Sequence, residues 1–190
     1  SMPLFNQESF NVLQRMDKIK LFQSDAYRKL KASRDKFNLI LSEPSNLWVT
    51  GVDLLFTLEF LNLVRDHLEP AGVYSQWLPL FHLNPQTLEM ILANFNTVFP
   101  WVTMWMTSSS TINILASMKR PTININKLQN RFSENSNIYK DFGLNHYQSI
   151  LGLQVLPELT TRGLSLASEV FHSIENPSLE FRTNRARFIG

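Results

Sequence analysis

The chain has 190 residues, a formal net charge of +2, 44% hydrophobic and 18% charged residues, and no cysteine. This length fits one domain with a sizeable core, and the composition is typical of a soluble globular chain. The absence of cysteine excludes a disulfide framework and a thiolate metal site, and the small charge without a long basic run gives no reason to expect a nucleic-acid partner.

The first forty residues predict two helices and two strands. Residues 3–18 carry a weak helical pattern, and Ile19 to Phe22 is a candidate strand. Asp25 has the residue type of an N-cap and precedes a predicted helix from Ala26 to Ser33, with basic residues on its outer face. The apolar run from Phe37 to Leu41 then has the length and branching of a buried parallel strand.

A polar elbow, SEPSN at residues 42–46, follows this strand and leads into a segment with apolar residues at helical spacing. The order strand, elbow, helix is typical of open α/β sheets, whose ligands bind beyond the carboxyl ends of the strands. Glu43 is therefore expected in such a crevice. Pro44 has no backbone N–H and prevents the elbow from continuing as a strand.

Breaker residues predict the next elements. The helix after the elbow is expected to end near Leu68, and the following strand covers Val73 to Leu80. Asn84 and Pro85 have the residue types of an N-cap and a first helical position, so they predict the start of a helix that ends at Pro100.

The last third of the chain predicts a hairpin followed by helices. Strands at 102–106 and 112–117, joined by a polar turn, predict an antiparallel hairpin at the sheet edge. The remaining predicted elements are three helices and a short alternating segment, at about 124–132, 136–142, 145–153 and 179–182. The four histidines are scattered without clustered ligand types, so no metal site is predicted.

Four segments of the sequence together carry a resemblance to a known protein family: SDAYRKL (24–30), FNLILSEPSNLWVTGVDLLFTLEFL (37–61), EPAGVYSQWLPLFHLNPQTLEMIL (69–92) and NPSLEFRTNRARF (176–188). Over about residues 19–188 the chain resembles the spermidine synthase-like domains of the aminopropyltransferase family. The resemblance implies an α/β fold, namely a partial Rossmann-like sheet of the class I methyltransferase type that is mostly parallel, with an antiparallel edge hairpin and a helical C-terminal appendage.

The resemblance also implies how the domain is divided. Residues 1–190 are expected to be one domain, with the sheet core at 19–118 and the helical appendage and tail at 119–190. No two glycines are close enough for the family's glycine-rich loop. The chain is therefore expected to correspond to the domain from its third strand onward, truncated on the N-terminal side.

Glu43 with Pro44 holds the place where the family has Asp-Pro at the end of the fourth strand. The resemblance implies that this carboxylate attracts a cationic polyamine and helps to deprotonate the attacking amine, which displaces the thioether of decarboxylated S-adenosylmethionine. Glu is longer than Asp by one methylene, so this sequence departs from the family pattern at its catalytic position. The alternative is that Glu43 only caps the following backbone.

The resemblance implies further contacts with both the nucleoside donor and the amine substrate. The implied cofactor-binding set is Asp25, Ala26, Ser42 and Pro44. Asp25 matches the acidic residue that contacts the adenine amino group, although it is also the expected N-cap, and the two roles are compatible. Gln76 and Trp77 match the substrate side, and the alternative is that both are structural.

Three functions stay open from the sequence. The first is a transferase domain that binds a decarboxylated S-adenosylmethionine-type donor and an amine, has no tightly bound cofactor and is inactive as an isolated chain. The second is a non-catalytic interaction or dimerisation module. The third is an S-adenosylmethionine-dependent methyltransferase-like domain, because fold does not fix function.

The partners follow from these functions. The expected partners are a small-molecule nucleoside and an amine, with no nucleic acid and no membrane for this segment. An uncovered sheet edge on the N-terminal side predicts self-association into a homo-oligomer. The expected location is the cytoplasm, either alone or as the soluble part of a larger membrane-associated protein.

Overall fold

The structure is a computed structural model that describes residues 19–44, 49, 51–81 and 83–179. Two compact units divide the chain, residues 1–32 and 33–190. Within the described ranges the strands are β1 (Phe37–Ser42), β2 (Leu68–Pro79), β3 (Trp101–Ser108), β4 (Thr111–Ser117) and β5 (Gln154–Leu156). The α-helices of those ranges are α1 (Ala26–Ala32), α2 (Leu58–Asp66), α3 (Pro85–Val98), α4 (Ile125–Glu134), α5 (Ser136–Asp141), α6 (Tyr147–Leu151) and α7 (Glu158–Ser165). A short 3₁₀ helix (Asp53–Phe56) precedes α2.

The first unit contains α1, whose predicted N-cap is confirmed. The backbone N–H of Arg28 donates to Oδ1 of Asp25 at 2.8 Å, as expected for a capping carboxylate. Residues 19–22 form no strand, so that prediction is wrong. No described strand pairs with this short segment, and an unpaired run of four residues cannot form a ladder. The helix predicted over 3–18 lies outside the described residues.

The second unit contains one mixed sheet with the strand order β1-β2-β4-β3-β5. The β1–β2 pair is parallel, whereas the β2–β4, β4–β3 and β3–β5 pairs are antiparallel. The α/β class and the β3–β4 hairpin are therefore confirmed. Among the described strands, parallel pairing is confined to β1 and β2 instead of predominating. The hairpin also does not form the sheet edge, because β5 pairs with β3.

Among the described strands β1 lies at the edge of the sheet and is not the buried strand that its apolar run predicts. It has one neighbour among the described strands, and the side chains of Leu39 and Leu41 are 53% and 70% exposed. Gly72 lets β2 approach β1 closely, since a Cβ atom at this position would lie 2.8 Å from the carbonyl oxygen of Phe37. The prediction was wrong because a short, mainly apolar segment, here four apolar residues with Asn38 among them, cannot distinguish a covered strand from an uncovered one.

Helices α2 and α3 pack against each other and against β2 and β3. The hydroxyl of Thr57 caps α2 by accepting the N–H of Phe60 at 3.2 Å. The predicted start of α3 is confirmed, because Oδ1 of Asn84 accepts the N–H of Thr87 at 2.8 Å. The largest fully buried apolar side chains belong mainly to these helices and to β2 and β4: Phe56, Leu61, Tyr74, Leu78, Met90, Ile91, Leu92, Phe95, Phe99, Ile112 and Ile114.

The region after the hairpin is helical, as predicted, and two of its elements join the core. β5 and α7 were not predicted. The Thr161 hydroxyl of α7 donates to the Val102 carbonyl of β3 at 2.8 Å, which fixes this helix to the sheet. Of the predicted segment 179–182, only Leu179 lies within the described residues. In the described part of the chain no helix is long and apolar enough to cross a membrane.

Candidate functional site

The parallel pair β1–β2 places the end of β1 beside an inner residue of β2, which continues to Pro79. Ser42, the last residue of β1, is in register with Gln76 of β2. Glu43 follows directly and is exposed, whereas Pro44 is buried. The exposed carboxylate therefore begins where β1 stops, as the strand–elbow pattern predicts. Residues 45–48, the rest of the elbow with Trp48, lie outside the described residues.

A buried hydrogen-bond network joins the end of β1 to the neighbouring part of β2. The Tyr74 hydroxyl donates to Oε1 of Gln76. Nε2 of Gln76 donates to the carbonyl oxygens of Ser42 at 3.4 Å and of Trp77 at 3.0 Å. The network thus connects the main chain of the residue before Glu43 to β2.

Burial controls the ionisation of Tyr74. Desolvation raises the pKa of this phenol above its ordinary range, and the hydrogen bond from Ser42 opposes the rise only in part. The ring stacks on Phe95 with centroids 5.9 Å apart and planes inclined by 7°, and on Phe99 at 6.3 Å. Tyr74 is therefore a neutral hydrogen-bond donor in a fixed position.

The two predicted substrate residues lie in different surroundings. Gln76 is fully buried, and its amide uses both its oxygen and its nitrogen within the network, so the side chain does not face solvent. Trp77 is half-buried. Contact of either residue with a substrate stays a prediction.

The predicted adenine-binding pair lies in the first unit. Asp25 and Ala26 are both exposed, and the Asp25 carboxylate caps α1. The capping role is thereby confirmed, and contact with a nucleoside stays a prediction for Asp25 and Ala26, as it does for Ser42 and Pro44.

Sequence reasoning missed a second buried polar cluster, centred on Asn94 of α3. Its Nδ2 donates to the carbonyl oxygens of Phe56 at 2.9 Å and of His172 at 2.6 Å, and its Oδ1 accepts the His172 N–H at 3.1 Å. An asparagine between apolar neighbours on a buried helical face was the available signal, because a polar group in such a position needs partners.

His172 extends this cluster to two more segments. Its Nε2 lies 2.9 Å from the Asp53 carbonyl oxygen, and its Nδ1 accepts the Leu179 N–H at 3.3 Å. These partners assign the neutral tautomer with the proton on Nε2. The His172 carbonyl also accepts the Leu58 N–H at 3.1 Å. The segment around 172–179 is therefore fastened to the start of α2, which follows the elbow along the chain.

No group of three or more His, Cys, Asp or Glu side chains that could hold a metal ion occurs within the described residues.

No protein-family model matches the chain, and a search of curated proteins finds no match. Among solved structures, the chain is similar to human methyltransferase-like protein 13 in complex with SAH, with 16% sequence identity and a TM-score of 0.48. The similarity covers 66% of this chain and 60% of that chain. The chain thus spans less than two thirds of that structure's length, and a similarity at this level does not establish an activity.

The fold assignment accordingly comes from the strands themselves. A parallel pair continued by an antiparallel hairpin makes a mixed sheet of an α/β domain, in agreement with the expected fold class. Membership of the spermidine synthase-like family stays a prediction.

Proposed function

We propose that this chain is a transferase-type domain that binds an S-adenosyl sulfonium donor and a cationic amine beyond the carboxyl ends of β1 and β2. The observation that carries the proposal is the register of Ser42 with Gln76, with the exposed Glu43 immediately beyond it. Ligands of open α/β sheets bind at this end of parallel strands. A carboxylate there attracts a cation and can accept a proton.

The finer proposal is aminopropyl transfer. The amine loses a proton to Glu43, and its nitrogen attacks the aminopropyl carbon bonded to the sulfonium. A C–N bond forms as the C–S bond breaks, and the bonding electron pair stays on sulfur, so neutral methylthioadenosine leaves. With S-adenosylmethionine as donor, the nitrogen attacks the sulfonium methyl carbon instead, so a methyl group is transferred and S-adenosylhomocysteine leaves.

Calorimetry with putrescine tests the amine side. A hydrogen bond to a charged group contributes about 1.5–3 kcal/mol, so Glu43→Gln should weaken putrescine binding by about tenfold or more. Glu134→Gln is the matched control, since Glu134 is exposed at the end of α4 and should leave the affinity unchanged. Equal affinities of the wild type and Glu43→Gln would refute the role of Glu43.

The donor side is tested by calorimetry with three nucleosides: decarboxylated S-adenosylmethionine, S-adenosylmethionine and methylthioadenosine. Preference for the decarboxylated donor supports aminopropyl transfer, and preference for S-adenosylmethionine supports methyl transfer. The absence of binding by all three would refute the nucleoside part of the proposal.

The exposed edge of β1 favours a second candidate function, an interaction module that pairs with a second copy. In an antiparallel pair centred on Ile40, Leu39 would lie opposite Leu41 of the second copy, which covers both exposed side chains. β1 is preceded by Lys36 and followed by Glu43, so antiparallel pairing brings opposite charges to each end. A parallel pair would bring like charges together.

Light scattering after size-exclusion chromatography tests this candidate. The wild type should form dimers at high concentration, and Leu41→Lys should be monomeric because a charge then lies in the paired strand. Leu159→Lys is the control, since Leu159 is an exposed leucine of α7 and its replacement should leave the dimer intact. A monomeric wild type would rule out pairing through β1.

A further inference from the structure

In the hydrogen-bond network behind Glu43, both polar atoms of the Gln76 amide have partners within the protein. Gln76 is 0% exposed, its oxygen accepts the Tyr74 hydroxyl, and its nitrogen reaches the carbonyl oxygens of Ser42 and Trp77. A buried amide of this kind holds one orientation, because any rotation leaves polar atoms without partners. The Ser42 carbonyl is therefore tied to β2 one residue before Glu43.

Tyr74 holds the amide from the other side. Its ring is fully buried and stacked on Phe95 and Phe99, so the hydroxyl cannot move without displacing core aromatics. Because the phenol stays neutral, it donates to Gln76 under all ordinary conditions. The orientation of the amide is thus set by the core of the protein.

At this end β1 is held by its ladder with β2, in which Leu39 to Ser42 pair with Val73 to Gln76. It is an edge strand with one partner among the described strands, and its neighbouring Leu41 is mostly exposed. We infer that Tyr74 and Gln76 are positioning residues that fix the direction in which Glu43 leaves the strand, so that amine binding at Glu43 depends on their hydrogen bonds. This inference rests on the proposed role of Glu43.

Two variants remove the network and leave the shape of the core unchanged. Tyr74→Phe deletes one oxygen and keeps the aromatic stack, and Gln76→Met keeps the side-chain length and deletes both polar atoms. Tyr139→Phe is the control for loss of a phenol, since Tyr139 stacks on Phe132 at 4.8 Å, far along the chain in α5. Folding of each variant is checked by circular dichroism and thermal melting.

Titration with putrescine, followed by the amide NMR resonances of Ser42 and Glu43, measures the effect. Both network variants should bind putrescine about tenfold more weakly, which is the loss expected when the charged hydrogen bond to Glu43 is no longer well formed. Tyr139→Phe should stay within about twofold of the wild type. A purely structural role would lower the melting temperature and leave the affinity and the ligand-free Glu43 resonance unchanged.

The Glu43→Gln variant separates the two proposals. If it binds putrescine like the wild type, the proposed function fails, and the inference fails with it. If it loses binding while folded Tyr74→Phe binds like the wild type, the proposed function stands and the positioning role is overturned. If Gln76→Met does not fold, Tyr74→Phe alone decides the outcome. Weakened binding in Tyr74→Phe, with a shifted Glu43 resonance, supports the inference.

Discussion

The buried cluster around Asn94 gives a prediction whose size can be worked out from individual hydrogen bonds. Replacing Asn94 with Ala removes three of them: two donated by Nδ2, to Phe56 and His172, and one accepted from the His172 N–H. The His172 carbonyl keeps a donor in the Leu58 N–H. The His172 N–H and the Phe56 carbonyl lose their side-chain partner in a buried place.

The expected loss of stability follows from these two groups. A buried donor or acceptor that loses its partner costs about 1–3 kcal/mol, so two such groups lower the free energy of unfolding by about 2–6 kcal/mol. The total free energy of unfolding of a typical domain is only about 5–15 kcal/mol. Asn94→Asp keeps the shape and the acceptor, but directs a carboxylate at two carbonyl oxygens, so it should also destabilise strongly.

Urea denaturation followed by tryptophan fluorescence and by circular dichroism measures the change. Asn130→Ala is the matched control, because Asn130 is exposed on α4, and its unfolding free energy should stay within about 0.5 kcal/mol of the wild type. A loss below about 1 kcal/mol for Asn94→Ala would refute the reasoning, since it would mean that the cluster adds little to the fold.

Three further predictions concern single positions. Gly72→Ala should destabilise the protein by at least about 2 kcal/mol, because its Cβ would meet backbone atoms of Phe37 and Glu69 that cannot move aside. Gly163→Ala should instead stabilise the protein by about 0.5–1 kcal/mol, because a Cβ atom at this position of α7 would meet no neighbouring atom. Equal effects of Gly72→Ala and Gly163→Ala on the free energy of unfolding, measured by urea denaturation, would contradict this prediction. Burial raises the pKa of Tyr74 above its ordinary value of 10.0, so the unfolded chain loses the phenol proton at a lower pH than the folded protein does. The free energy of unfolding should therefore fall as the pH rises beyond 10.0, by up to about 1.4 kcal/mol per pH unit. Tyr74→Phe should remove this alkaline loss, and identical pH slopes for the two proteins in urea denaturation would count against it. Asn84→Ala should lower the free energy of unfolding by about 1 kcal/mol through loss of the α3 cap, and an unchanged urea midpoint would exclude the cap.

The elements with local signals could be predicted from the sequence. Asn84 and Pro85 determine the start of α3 through interactions within one turn, and the hairpin of β3 and β4 follows from two β-rich runs around a polar turn. β5 and α7 could not be predicted in this way. β5 has only three residues, which is too short for a recognisable strand pattern. α7 contains Gly163, which lowers the helix propensity of its sequence.

Features that depend on distant partners could not be predicted either. The apolar run of β1 has the same sequence signature whether or not another strand covers it, so the exposure of Leu41 is a property of the assembled sheet. Asn94 and His172 are 78 residues apart in the chain, and no spacing rule connects them. For such groups the sequence shows only that a polar residue on an apolar face needs a partner somewhere.

The candidate site depends both on a local sequence pattern and on contacts between residues that are distant in the chain. The position of Glu43 follows from a local pattern, an apolar strand stopped by Pro44, and the structure places this carboxylate at the strand end. The surroundings of Gln76 follow from strand geometry, because alternate residues share a face. Tyr74, Gln76 and Leu78 are all fully buried, so they lie on the core face of β2. A glutamine on that face must satisfy its amide inside the protein, and its nitrogen finds the carbonyl of Trp77 and that of Ser42, which precedes Glu43. The buried polar residue and the exposed acidic residue are therefore parts of one arrangement, in which the core determines where the carboxylate begins.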